Sequence, residues 1–166
     1  MTVHATLTYI LKDNNVLLIR KKRGFGAGKF NAPGGKINDN ENVYDAAKRE
    51  VFEEIGLIIE DIEPVGILIF YSSSAEPDWV VYVFKTTSFK GNPRETDEAL
   101  PLWFSLREIP LLEMWVDDWI WIPYFFNDTY FRAFFKYDDE YKKMINWRVE
   151  KINICLLKEL IENKSY

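Results

Sequence analysis

The sequence predicts an α/β fold of the α+β kind, in which a mixed sheet carries a few packed helices. Three observations lead there. Strand-like segments rich in Val, Ile, Phe and Tyr recur along the chain. A glycine-rich loop feeds one amphipathic helix from residue 42, and a second amphipathic helix covers about 154–163. No repeat, low-complexity tract or linker interrupts the order, so 1–166 reads as one domain.

Taken in order, VHATLTYIL (3–11) is an expected strand, and KDNN turns the chain into a second strand, VLLIR (16–20). KKRGFGAGKFNAPGGK is too rich in glycine for a helix, and its basic residues fit a solvated surface or a phosphate-facing patch equally well. Residues 42–55 form the first helix, with Val43, Ala47, Val51 and Ile55 on one apolar face and Gly56 placed to end it. IEPVGILIFY and WVVYVFKTTSF read as strands joined by the polar SSSAEPD, and ALPLWFSLREIP as a strand running into a short helical turn. DDWIWIPYFFN is expected to be a short helix interrupted by Pro123. Two further strands, TYFRAFFKY and the segment around INWRVEKI, precede the last helix. That helix is expected to pack on the sheet, with a dimer contact as the alternative and a monomer as the default state.

Composition narrows the function classes. The net charge of -5 offers no basic field for a nucleic acid polymer. No apolar run approaches the ~20 residues of a membrane span. The N-terminus lacks a secretory core, and the lone Cys155 excludes an intrachain disulfide, so a cytoplasmic protein is expected. The 6 Trp, 9 Tyr and 12 Phe exceed what a core alone would explain and suit a pocket for a flat ligand.

The first helix carries the chemistry. Glu50, Glu53 and Glu54 project within an arc of about 100°, and the positions four residues on are Glu54, Leu57 and Ile58, so no lysine balances them. Acids near a helix C-terminus also oppose the macrodipole. Such a cluster costs stability unless a cation compensates it, and hard divalent ions bind carboxylate oxygen alongside substrate phosphates. On residue types alone, a metal site and a solvated acidic face remain open.

The spacing is more specific. Gly35, five residues, Glu41, seven residues, Arg49-Glu50-Val51, one residue, Glu53-Glu54, one residue and Gly56-Leu57 resemble the Nudix box at every defined position. The resemblance implies a Nudix α/β/α sandwich in which residues 35–57 hold Mg²⁺, with Mn²⁺ as a substitute, against the diphosphate of a small-molecule nucleotide. It implies a metal set of Gly34, Glu50, Glu53, Glu54 and Glu98. Arg49 is expected to orient a glutamate of the cluster, and Glu41 to anchor the loop.

Beyond the box, KKRGFGAGKFN (21–31), KGNPRETDE (90–98) and MWVDDWIWIP (114–123) look like the animal MutT-homologue branch of that family, which hydrolyses oxidised purine nucleoside triphosphates. Carried over by position, Asn31, Asp117 and Asp118 would read the purine edge and Trp115 would stack on the ring. Phe25, Phe70 and Trp79 would line the pocket, and Thr6 and Lys21 would lie close to the nucleotide. Taken without the branch, Asp117-Asp118 reads as a helix N-cap, Trp115 as core and Asn31 as a turn former. In a pocket, two adjacent aspartates do not easily hold two full charges, so one of them is expected to keep its proton. The chain departs from the branch where Val116 replaces a proline, Trp79 a methionine and Ser72 an aromatic. The expected activity is release of a monophosphate and pyrophosphate from 8-oxo-dGTP or 2-oxo-dATP. The alternatives are another nucleotide, such as an unmodified dNTP, a methylated purine triphosphate or ADP-ribose, and a noncatalytic nucleotide sensor.

Overall fold

The computed structural model describes residues Met1–Tyr166. Its eight strands are β1 (Val3–Lys12), β2 (Asn15–Lys21), β3 (Phe30–Asn31), β4 (Ile58–Tyr71), β5 (Trp79–Lys90), β6 (Ala99–Ser105), β7 (Phe131–Tyr137) and β8 (Met144–Lys151). The helices are α1 (Val43–Ile55), α2 (Asp118–Phe126) and α3 (Ile154–Glu162), with a single 3₁₀ turn at Leu111–Glu113.

The strands join one mixed sheet in the order β3-β2-β1-β5-β4-β7-β8, with β6 also paired to β2. The pairs β1·β5 and β4·β7 are parallel, and β4·β5 and β7·β8 antiparallel. Parallel strands at the centre must be covered on both faces, which explains the unbroken buried run from Pro64 to Ile69 in β4.

Alternation sorts the side chains into two layers. Ile67, Ile69, Val80, Tyr82 and Phe84 meet Val43 and Ala47 of α1 and Leu157 and Ile161 of α3. Farther along α1, Val51 and Ile55 cover Ile10, Leu17 and Ile19. On the opposite face Leu68, Val81, Val83, Phe131 and Phe135 pack against Trp121, Ile122 and Phe125 of α2. Two helices on one face and one on the other make the expected α/β/α sandwich.

Local chemistry sets the ends of α1. The Asn42 side chain accepts hydrogen bonds from the Tyr44 and Asp45 amides at 2.8 and 3.4 Å. At the other end Gly56 takes φ 77°, where its N–H donates to the Phe52 carbonyl.

Three local expectations need correction. The helix α2 continues through Pro123 instead of breaking there. Pro123 is exposed and lies opposite the buried stripe of Trp121, Ile122 and Phe125, so packing outweighs the missing N–H. The glycine loop contains a two-residue strand, β3, too short to leave a periodic signal. β4 starts at Ile58, directly after α1, and absorbs Asp61 and Pro64 through register shifts against β5.

The C-terminal helix closes one face, since Leu157 and Ile161 are fully buried against the sheet. Leu157→Ala is therefore expected to lower unfolding free energy by about 2–4 kcal/mol, as cavity formation in a packed core does. Urea denaturation would measure it, and a loss below ~1 kcal/mol would show α3 to be a dispensable cover.

Candidate active site

The site begins where the sheet opens. β1 pairs with β2 only over Ile10–Lys12. Toward its N-terminus β1 instead receives the chain after β3. The Thr8 and Thr6 amides donate to the Pro33 and Gly35 carbonyls, each at 2.8 Å, and the Ile37 amide donates to the His4 carbonyl. The approach requires glycine at position 34, where the neighbour is backbone. A Cβ on Gly34 would stand 1.9 Å from the Thr6 carbonyl oxygen, and one on Gly35 would stand 2.3 Å from Glu50 Oε2. A cleft of about 210 Å³ lies in the opening, lined by Gly34, Gly35 and Glu54 at one end and by Asp117 and Asp118 at the other.

At the glutamate end, Arg49 organises the acids. Its Nε and Nη2 donate to the two oxygens of Glu41 at 2.7 and 2.8 Å, a bidentate pair. Its Nη1 donates to Glu50 Oε1 at 2.7 Å and Glu53 Oε2 at 3.0 Å, and Nη2 also reaches the Lys36 carbonyl. The Arg49 hydrogen bonds hold the Glu41 carboxyl below the usual range. Burial pushes Glu50 the other way, despite Arg49 beside it. Glu54 is buried and accepts from the Gly34 amide at 2.9 Å. Its burial pushes the carboxyl up to about 7, with Glu50 and Glu98 adding to the rise and the Gly34 amide and Lys21 opposing it.

The structure does not bring all the predicted acids together. Glu98 is exposed and accepts from Arg23 Nη2 at 2.8 Å, and no three acidic, cysteine or histidine side chains converge at metal-ligating geometry. Glu50, Glu53 and Glu54 do share one end of α1, and each keeps an oxygen that accepts no hydrogen bond from the protein. Oxygen donors in this number, set against one arginine, suit a hard divalent cation.

The other end of the cleft is aromatic. Phe25 stacks on Trp115 with ring centroids 5.0 Å apart, and Lys29 Nζ lies 5.1 Å from the Trp115 ring. Thr6, Lys21, Asn31, Phe70 and Trp79 also line the cleft. The Asn31 side chain accepts from the following Ala32 amide. Thr6 carries a buried hydroxyl with no partner in the protein.

Neither aspartate caps α2, contrary to the simplest reading of that dipeptide. Asp117 stands at the N-cap position, but its Oδ1 accepts from the Tyr137 hydroxyl at 2.8 Å. Asp118 accepts from the Trp121 indole and the Trp115 amide, each at 3.0 Å. Both are buried, at 4% and 2% exposure, which leaves room for one proton on the pair. Burial pushes Asp117 up to about 6, and burial together with the Asp117 charge pushes Asp118 well above the carboxylate range.

A cleft with a carboxylate at one end and aromatic side chains at the other fits a ligand with a charged end and a flat ring. The NUDIX domain model matches residues 1–125. The chain is 38% identical over 132 residues to the oxidized purine nucleoside triphosphate hydrolase of Danio rerio, covering 80% of this chain and 85% of that protein. With the Mus musculus protein of the same name it shares 38% identity over 135 residues, covering 81% and 86%. The crystal structure of a mutator MutT protein from Bacillus halodurans superposes with a TM-score of 0.78 at 25% identity, covering 89% of this chain and 97% of that one. The chain belongs to the Nudix family and is a hydrolase of that class.

Sequence reasoning does not single out Tyr137, Tyr141, Gly26 and Lys29, which all line the cleft. Tyr137 sits at an inward position of an alternating strand, a signal that marks burial but not a partner twenty residues away.

The aspartate pair has a measurable consequence. An unfolded Asp titrates near ~3.9, so the folded chain binds a proton at Asp117 more tightly than the unfolded chain does. Stability contributed by the protonated form is present below about pH 4 and is lost as pH rises toward about 6. Asp117→Asn removes that loss. Relative to wild type it is expected to gain on the order of 1–3 kcal/mol between pH 4 and pH 7 in urea denaturation. A difference that stays flat across this window would refute the burial-driven shift.

Proposed function

We propose that this enzyme hydrolyses oxidised purine nucleoside triphosphates of the 8-oxo-dGTP and 2-oxo-dATP type to the monophosphate and pyrophosphate, with Mg²⁺. One observation supports this above the others: Glu54 of the box and a buried aspartate pair line the same cleft, so one ligand would span both. The names of the zebrafish and mouse relatives point the same way.

In this reading the base slides between Trp115 and the opposite wall of Phe70 and Trp79, while Asn31, Asp117 and Asp118 read its edge. Asn supplies a donor and an acceptor, and a pair sharing one proton supplies both as well. Thr6 and Lys21 lie between the base and the glutamates, where Lys21 faces the phosphate chain. Glu50, Glu53 and Glu54, with the Gly34 carbonyl, would hold the divalent ion, and Glu98 would join them by leaving Arg23. When bound, that ion supplies charge neutralisation and polarises phosphoryl oxygen. A carboxylate of the cluster takes the proton of the attacking water. Arg49 keeps Glu50 and Glu53 in place, and Glu41 keeps Arg49 in place. Phosphoryl chemistry of this kind rests on positioning and charge stabilisation more than on covalent steps.

Glu53→Gln and Glu54→Gln are each expected to lower kcat about 100-fold or more while the circular dichroism spectrum stays unchanged. Chelation with EDTA should abolish turnover, and added Mg²⁺ should restore it. A panel of 8-oxo-dGTP, 2-oxo-dATP, dGTP and ADP-ribose, run in oxygen-labelled water, would identify both the substrate and the phosphorus attacked. Equal efficiency on the oxidised and unmodified triphosphates would overturn the proposal.

A further inference from the structure

The aromatic end of the cleft is an arc of rings drawn from distant parts of the chain. Trp115, before α2, stacks on Phe25 of the glycine loop, and Phe25 meets Tyr141 edge-on with centroids 6.0 Å apart at 86°. Tyr141 in turn stacks on Tyr137 of β7 with centroids 5.3 Å apart at 20°, and the Tyr137 centroid lies 6.4 Å from that of Phe70 in β4. All five side chains line the cleft. Tyr141 is the middle member, so it joins a loop wall of Trp115 and Phe25 to a sheet wall of Tyr137 and Phe70.

The β7–β8 turn that carries Tyr141 does not need this side chain. The Asp138 amide donates to the Lys143 carbonyl at 2.9 Å, the Tyr141 amide to the Asp138 carbonyl at 3.0 Å and the Lys142 amide to Asp138 Oδ1 at 2.8 Å. Backbone and Asp138 thus close the turn by themselves. Tyr141 nevertheless holds φ 56°, a left-handed conformation that suits glycine or asparagine better than a bulky ring. Strain of this kind persists only where surrounding contacts hold it, and it gathers at ligand sites.

The holding contact is Asp78, whose Oδ2 accepts from the Tyr141 hydroxyl at 2.7 Å. The sheet fixes Asp78 in turn, since its amide donates to the Phe70 carbonyl and its carbonyl accepts from the Val3 amide. Burial works against the Asp78 charge, but Ser72 and Tyr141 outweigh it and hold the carboxyl below its usual range. The bond to Tyr141 is therefore charge-assisted. The loop wall has less support of its own. Phe25 stands among glycines at 24, 26 and 28 and is 60% exposed, so the rings it touches set where that wall stands.

We propose that Tyr141 is a positioning residue for nucleotide binding. Anchored on Asp78, it sets the spacing between the loop wall and the sheet wall, and so the slot that a flat base enters. The inference rests on the proposed function, in which the base occupies this end of the cleft. None of the five rings belongs to α1 or to the Gly34–Gly35 segment, so loss of Tyr141 acts on binding of the base and not on the reaction.

The test is Tyr141→Gly, which removes the ring while the left-handed backbone stays allowed. The KM for 8-oxo-dGTP is expected to rise about three- to tenfold, the range of an aromatic pair, with kcat within about twofold of wild type. Hydrogen exchange at residues 24–29, read by mass spectrometry, should quicken while the urea midpoint is retained. An unchanged KM, or loop exchange at the wild-type rate, would overturn the proposal. If the wild type turns over none of 8-oxo-dGTP, 2-oxo-dATP and dGTP, the substrate reading fails, and loop exchange alone decides the role of Tyr141. Should Tyr141→Gly not fold, Tyr141→Phe replaces it. That variant keeps the ring and loses the Asp78 anchor, and KM and loop exchange are expected to move in the same directions.

Discussion

The cleft depends on a glycine passing where no side chain fits. Gly34 runs against the Thr6 backbone carbonyl, where a Cβ would collide, and Gly35 lies against the Glu50 carboxylate, which a Cβ would displace. Because the Pro33–Gly35 backbone takes over hydrogen bonds of Thr6 and Thr8, β1 leaves β2 without orphaned amides. The Thr6 and Thr8 amides at the gap in the sheet are thus hydrogen-bonded. The same segment delivers the Gly34 amide to Glu54, joining the sheet to the acidic end of α1.

Two groups of acids lie in or beside this cleft and are stabilised by different means. At the helix end a cation already present, Arg49, spreads over Glu41, Glu50 and Glu53. Glu54 lies beyond its reach and is held by one backbone amide, so its burial raises its affinity for a proton. At the aromatic end no cation touches Asp117 or Asp118. Neutral donors from Trp115, Trp121 and Tyr137 hold them, and a proton must make up the remainder. A ligand with phosphates at one end and N–H groups at the other complements both.

The helix of the box is legible in the sequence because its signals are local. Asn42 as cap, Gly56 as stop and the four-residue apolar spacing all act within one turn or two. The pocket residues are legible only in part, and the distinction is sequence separation. Trp115, Asp117 and Asp118 lie in one short segment that resembles a known branch. Tyr137 reaches Asp117 because β7 pairs in parallel with β4, and Tyr141 meets Asp78 across 63 positions of sequence. Nothing in the composition of FFKYDDEY marks that encounter. Pro123 misleads for a related reason, since the buried stripe that keeps α2 intact exists only once α2 lies on the sheet.

The departures from the related branch also take on a physical meaning when placed in the fold. Ser72 is buried and lies close enough to Asp78 to lower its proton affinity, and Asp78 in turn holds Tyr141. Through that bond the β7–β8 turn brings the Tyr141 ring to the cleft wall. Trp79 follows directly, with Lys36 Nζ 5.6 Å from its ring. Glu54 of the box and the rings of Trp79 and Tyr141 thus line one cleft.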